Sequence, residues 1–194
     1  MTHQVHAFEP PERFVAGTVG PPGERTFFLQ ARGGGRLVSV ALEKVQMSLL
    51  AEKLEELLAE AHRRFGAELP EAPAALSDNE PLDTPVDEEF RVGTLGLAYD
   101  VDTATVVIEA IAAGESEVEV ELGGDAELAE DDDEDEEPDD DLDRLRVRLT
   151  PAAARAFIDR ARRVLAAGRP PCPLCGQPLD PRGHLCPRHN GYHR

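Results

Sequence analysis

The residues best suited to chemistry stand in the last two dozen positions: Cys172-Pro-Leu-Cys175, ten intervening residues, then Cys186-Pro-Arg-His189. All three cysteines of the chain fall in this pattern. The two residues between Cys172 and Cys175 let both thiolates reach one ion, and Pro173 and Gly176 favour the tight turn this requires. The second segment repeats the turn with an imidazole in place of a thiolate. Three thiolates and one imidazole suit tetrahedral zinc. The expected ligands are Cys172, Cys175, Cys186 and His189 around a structural Zn2+, because four protein ligands leave no position for water or substrate. His184, two residues before Cys186, competes for the fourth place, and if it ligates, His189 is left at the surface. The competing chemistry is a redox Cys-x-x-Cys with a buried third cysteine.

Charge is the second feature. The chain carries a net −19, yet eleven of the twelve residues in 130–141 are acidic, and residues 144–194 hold eleven arginines against two aspartates. It reads as an acidic body with a basic tail. Arg155, Arg160, Arg162 and Arg163 lie in one apolar-periodic segment, and Arg169, Arg182, Arg188 and His193 extend the basic surface. Such a surface can contact phosphates, but only Phe157 and Tyr192 are at hand for base stacking. A solvated helix face with arginines near its C-terminus is the plainer reading. The acidic run reads as a solvated loop that also faces Arg144, Arg146 and Arg148; binding a basic partner is its functional alternative.

Catalytic chemistry finds little support. The glycine motifs at Gly17 and Gly93 match neither dinucleotide nor P-loop fingerprints. The histidines lie near the termini and at His62, so no Ser/His/Asp set assembles. Glu43 and Asp102 are carboxylates near strand ends with nothing to pair them.

The elements that must carry these residues repeat. Phe14-Val-Ala-Gly-Thr-Val-Gly20 and Phe90-Arg-Val-Gly-Thr-Leu-Gly96 share Phe, Gly, Thr and Gly at the same offsets. Segments 26–31 and 37–42 in the first half, and 105–110 and 145–149 in the second, read as strands. Gly33-Gly34-Gly35 reads as a hairpin turn between two of them. A helix follows in each half. The first spans 43–65, with Leu50, Leu54, Leu57, Leu58 and Ala61 on one face. The second spans 151–167, with Thr150 as N-cap, Pro151 at the first helical position and Phe157, Ile158, Ala161, Val164 and Leu165 as its stripe. The expected fold class is α+β: duplicated β-β-β-α units forming a β-rich core with two packed helices, plus a small C-terminal zinc-ribbon-like module. The duplicated core covers 1–168, with halves 8–65 and 89–168, a linker at 66–88, and a disordered acidic insert at 123–143. The zinc-binding tail covers 169–194.

Phe8 to Gly20, Arg25-Thr-Phe-Phe-Leu-Gln-Ala-Arg32, Val38-Ser-Val-Ala-Leu-Glu-Lys44, Pro171-Cys-Pro-Leu-Cys-Gly176 and Gly183-His-Leu-Cys-Pro187 through Asn190-Gly-Tyr192 together resemble an actinobacterial domain-of-unknown-function family. The resemblance spans all but the acidic insert. It implies a bacterial cytoplasmic protein and carries no activity, and its stress on Gly-His-x-Cys-Pro favours His184 as fourth ligand, where turn spacing favours His189. No apolar run approaches the roughly 18 residues of a membrane span, no basic-then-apolar leader opens the chain, and no cysteine is spare for a disulfide, so the cytoplasm is expected. The leading expectation is a non-enzymatic interaction or adaptor protein with a protein partner and no membrane. The alternatives are a nucleic-acid-binding protein using helix 151–167 and the zinc module, with the acidic run as internal competitor, and an enzyme of unrecognised type working between the halves.

Overall fold

The computed structural model describes residues 3–69, 76–114, 142–169, 171–177, 179 and 186. Seven strands and two helices follow in the order β1 (Val5–Phe8), β2 (Arg13–Val19), β3 (Thr26–Gly33), β4 (Arg36–Leu42), α1 (Lys44–Phe65), β5 (Glu88–Asp100), β6 (Thr105–Ala112), β7 (Arg144–Leu149) and α2 (Pro151–Ala166). The chain is α+β, as its residue pattern predicts. Gly34 and Gly35, at φ +56° and +73°, make the two-residue turn between β3 and β4. Only glycine adopts such angles without strain, and two successive ones suit a hairpin. Thr150 caps α2 by accepting from the Ala153 N–H at 3.2 Å, with Pro151 directly after it.

The strands form one sheet in the order β1-β7-β6-β5-β4-β3-β2. Each half contributes an antiparallel meander, β2-β3-β4 or β5-β6-β7. The meanders join through a parallel β4/β5 pair, with α1 as the crossover. Each helix then packs against the first strand of the opposite half, α1 on β5 and α2 on β2, and the two helices pack on each other. The halves thus join sheets and exchange helices. The repeated glycines have a steric basis. A Cβ at Gly17 would lie 2.5 Å from the Leu82 side chain, and one at Gly93 would lie 2.7 Å from Ala113 Cα. Both positions admit a second segment of chain that any side chain would displace.

The strand β1, which the residue pattern did not predict, pairs in parallel with β7 at one edge, while β2 forms the other. Only four residues separate β1 from β2 in sequence, and five peptide steps reach roughly 18 Å at most. The sheet must therefore curl. Arg36, on the far side of β3, donates to the Ala7 carbonyl at 2.7 Å and lies over the Phe8 ring. Inside the curl, Leu29, Val40, Met47, Leu50, Leu54, Ile108, Val147 and Phe157 belong to a single apolar cluster. Phe14 stacks on Phe157 at 4.8 Å between ring centres.

The segment read from composition as a plain linker does more than connect. Residues 78–83 strap over the exposed edge at β2. Arg160 of α2, 7% exposed, donates to the Ala16 carbonyl of that edge at 2.7 Å, to the Asp78 carbonyl and carboxylate at 2.7 Å each, and to the Glu80 carbonyl at 2.8 Å. Arg13 holds the same carboxylate through two donors and reaches the Glu80 and Pro81 carbonyls. On the outer face, the buried Gln30 amide exchanges two hydrogen bonds with the backbone of Asp83, as a neighbouring strand would. An open strand edge is an aggregation template, and covering it is the usual remedy.

Arg160→Leu removes the side-chain donor from the buried Ala16 carbonyl and takes one donor each from the Asp78 carboxylate, the Asp78 carbonyl and the Glu80 carbonyl, and should cost about 3 kcal/mol in urea unfolding. The Arg13 hydrogen bond, assisted by the charges of Arg13 and Arg160, holds the Asp78 carboxyl below its ordinary value. A lowered folded-state pKa stabilises above the unfolded value, near about 4, and that stability is lost as pH falls through the folded value. Asp78→Asn should therefore be less stable than the parent at pH 7, and the gap should close in acid. A constant gap between pH 7 and pH 2 would contradict this.

Candidate functional site

Beyond α2, the chain turns through Pro171 into the cysteine segment. The Cys172 N–H bonds to the Gln177 carbonyl at 2.7 Å, and the Gly176 N–H bonds back to the Cys172 carbonyl at 2.8 Å. Gly176 sits at φ +74°, a conformation that disfavours any residue with a Cβ. This is the tight turn that the two-residue spacing and Gly176 predict. The turn joins Cys172 to Cys175, and the sulfurs of Cys172, Cys175 and Cys186 lie within 4.8 Å of one another. Cys172 and Cys186 are buried and Cys175 is half-buried.

The donor set fits a metal ion. Two sulfurs at about 2.3 Å from a tetrahedral zinc stand about 3.8 Å apart. Cys172 and Cys186 lie 3.8 Å apart. The turn also prepares the anion that a metal requires. Backbone N–H groups of Cys175 and Leu174 point at the Cys172 sulfur and bring its pKa down to about 6. At Cys175, the Gln177 N–H favours the thiolate, but desolvation and the neighbouring sulfurs of Cys172 and Cys186 outweigh it, so its pKa is raised. One thiolate is thus ready at neutral pH, and a cation shared among the three removes the mutual repulsion that holds the second proton on. His184 and His189 both lie outside the described residues, as does the acidic run at 130–141.

The arginines read as a possible phosphate surface are largely engaged within the chain. Arg160 is buried in the strap. Arg162 pairs with Glu55 of α1. Arg163 bonds to the Asn79 side chain and to the Asp78 carbonyl. Arg155 lines a groove between the helices beside Glu55 and Asp159. Phe157, the nearest candidate for base stacking, is 2% exposed. Arg182, Arg188 and His193 lie outside the described residues.

The two carboxylates near strand ends do not meet. Glu43 precedes α1 and pairs with Arg91 at 3.1 Å. Asp102 lies in the turn after β5. That turn is organised by Asp100, whose carboxylate accepts from the Thr103 N–H at 3.0 Å and from Arg148 at 2.6 Å, and is held at a pKa of about 2. Sequence reasoning missed the strap residues Arg13, Gln30, Asp78 and Asp83. Their only signal is local: a charged or amide residue placed among strand-forming neighbours.

Residues 6–186 match a family profile described as a protein of unknown function, DUF3090. No curated protein and no solved structure matches the chain.

In metal-stripped, reduced protein, alkylation of Cys172 by iodoacetamide should follow a titration centred near pH 6, against about 8.5 for an ordinary thiol. Peptide mass mapping across pH 5–9 reads this directly, and a midpoint above pH 8 would contradict the role of the turn's N–H groups.

Proposed function

We propose that this chain, which belongs to the DUF3090 family of proteins of unknown function, is a non-enzymatic interaction protein whose C-terminal segment is held in shape by a structural zinc ion. The observation that carries the reading is the convergence of the three sulfurs within 4.8 Å, with Cys172 and Cys186 at the 3.8 Å that tetrahedral zinc–thiolate geometry requires. Cys172, Cys175 and Cys186 supply three ligands in this reading, and His189 completes the set. When bound, the ion supplies a closed cross-link between the two ends of the tail. The protein's own residues do the rest: Gly176 makes the turn, and the backbone N–H groups of Leu174 and Cys175 stabilise the Cys172 thiolate. A module so closed presents a fixed surface at the end of α2, which suits it to hold a protein partner. The reading includes a bacterial, actinobacterial source and a cytoplasmic location, supported by the sequence resemblance and by three cysteines held outside any disulfide. Among the described residues, no helix is long and apolar enough to cross a membrane. The engagement of Arg160, Arg162 and Arg163 within the fold takes support from a nucleic-acid interface on α2.

Purified protein should carry one zinc per chain by mass spectrometry, and Cys172→Ser and Cys186→Ser should each carry none. The cobalt-substituted protein should show the intense visible bands of a tetrahedral thiolate site, unchanged by added azide or imidazole. Bands that shift with either ligand would mean an open coordination position, and the non-enzymatic reading would fail. His189→Ala should weaken zinc binding more than His184→Ala does, and the reverse result would reassign the fourth ligand.

A further inference from the structure

Three sulfurs share the cluster, and they belong to the only three cysteines of the chain. A disulfide joins two, so oxidation must leave one over. Which one it leaves decides the state of the segment. A bridge from Cys186 to either other cysteine would keep the two parts of the cluster tied, much as an ion does. A bridge between Cys172 and Cys175 would staple a single turn and untie Cys186.

The sulfurs are not equally protected. Cys172 and Cys186 are each 6% exposed, whereas Cys175 is half-buried. Cys175 follows Leu174, which is 50% exposed, so this part of the turn lies at the surface. Oxidation of a cysteine follows its thiolate character and its exposure. A metal holds all three ligands as thiolates. Exposure then ranks them, and Cys175 comes first. Cys172 and Cys186 lie only 3.8 Å apart, but neither is the sulfur that an oxidant in water meets.

The partner of Cys175 is set by the chain. Cys172 lies in the same turn, and backbone hydrogen bonds hold that turn without a metal: the Cys172 N–H to the Gln177 carbonyl at 2.7 Å, and the Gly176 N–H to the Cys172 carbonyl at 2.8 Å. Cys186 comes from eleven residues beyond Cys175. With the ion gone, bringing it back costs the entropy of a longer loop. Closure within the turn is favoured.

We infer that the cluster is an oxidant-sensitive clasp, in which a hydroperoxide converts Cys172 and Cys175 to a disulfide and frees both zinc and Cys186. This rests on the zinc reading and adds regulation to it. The Cys175 thiolate takes one oxygen of the peroxide as the O–O bond breaks, giving a sulfenic acid and a hydroxide or alkoxide ion. The Cys172 thiolate then attacks the Cys175 sulfur; the S–S bond forms, the S–O bond breaks and hydroxide leaves. The two sulfurs lose two electrons and the peroxide gains them. Two of the four ligands are then consumed, the remaining pair no longer holds the ion, and the surface that zinc fixed for a partner is lost. A thiol reductant with zinc restores it.

The test uses the full chain loaded with zinc, its metal content measured first, and hydrogen peroxide as the probe. A chromogenic chelator reads zinc release, and peptide mass mapping reads the sulfurs. The one zinc per chain should be lost together with formation of a Cys172–Cys175 disulfide, with Cys186 left open to alkylation. Dimedone, which captures sulfenic acids, should label Cys175 before either other cysteine. Zinc that stays bound in excess peroxide, a disulfide that includes Cys186, or first labelling at Cys172 or Cys186 would overturn the clasp. Failure of the zinc reading itself would show separately, as a chain without zinc before peroxide is added.

Discussion

The guanidinium of Arg160 is the point on which the arrangement of the two halves turns. It comes from the last helix, reaches the open edge of the sheet at the Ala16 carbonyl, and closes on the Asp78 carboxylate and the Glu80 carbonyl. Burying a guanidinium is costly unless its donors and its charge are matched. Here burial lowers the pKa of Arg160, with the nearby Asp78 charge opposing that trend, and the planar fork meets acceptors from two segments remote in sequence, β2 and the strap. Arg13 joins from β2 and has its own pKa raised, chiefly by its hydrogen bond to Asp78. A lysine at 160 would offer a point charge without the fork. One side chain thus ties a helix, an edge strand and the chain between the halves, and α2 cannot take another position on the sheet without leaving these groups unpaired.

The duplication explains why such a tie is needed. Each meander has an inner apolar face that its own helix does not cover alone; α1 covers β5 and α2 covers β2. Crossing helices make the core a joint product of both halves, consistent with a single apolar cluster that runs through them. The cost falls at β2, an edge strand, whose outer face carries Gly17 and receives Leu82 from the strap. At the equivalent position in the second half, Gly93 lies where the pairing of β5 shifts register and the chain beyond β6 passes close by. Gln46 ties α1 to that same point through the carbonyls of Val92 and Gly93. The same residue type thus serves close approach in both copies, but to different neighbours.

Charge that looks uniform along the tail sorts into three uses once folded. Some arginines are structural, buried or paired against the strap and α1. Others sit on β7, where Arg146 meets Glu109 and Arg148 meets Asp100 in half-buried pairs. Arg169 instead lines a cavity with Arg25 and Lys44, its guanidinium packed against the loop at Gly23. Counting arginines against acidic residues cannot distinguish these uses, since each depends on what lies opposite in space.

Much of the fold was legible because its signals are local. Helical spacing in 44–65 and 151–166, β-branched runs, paired glycines and a capping threonine each specify backbone conformation within a few residues, and the elements formed close to where those signals place them. The cysteine turn was legible for the same reason: two residues of spacing and one glycine suffice to bring Cys172 and Cys175 together. Strand β1 was not, because four residues carry too little pattern and its pairing partner lies some 139 residues away. The strap at 78–83 was not, because it is held by side chains from other elements and has no period of its own. By itself, the sequence determined the elements, their duplicated order and the sulfur cluster, all of which follow from short-range backbone preference and spacing. Only the tertiary structure decided which arginines are buried and which face a cavity, because the energy of a charge depends on the groups around it rather than on its neighbours along the chain.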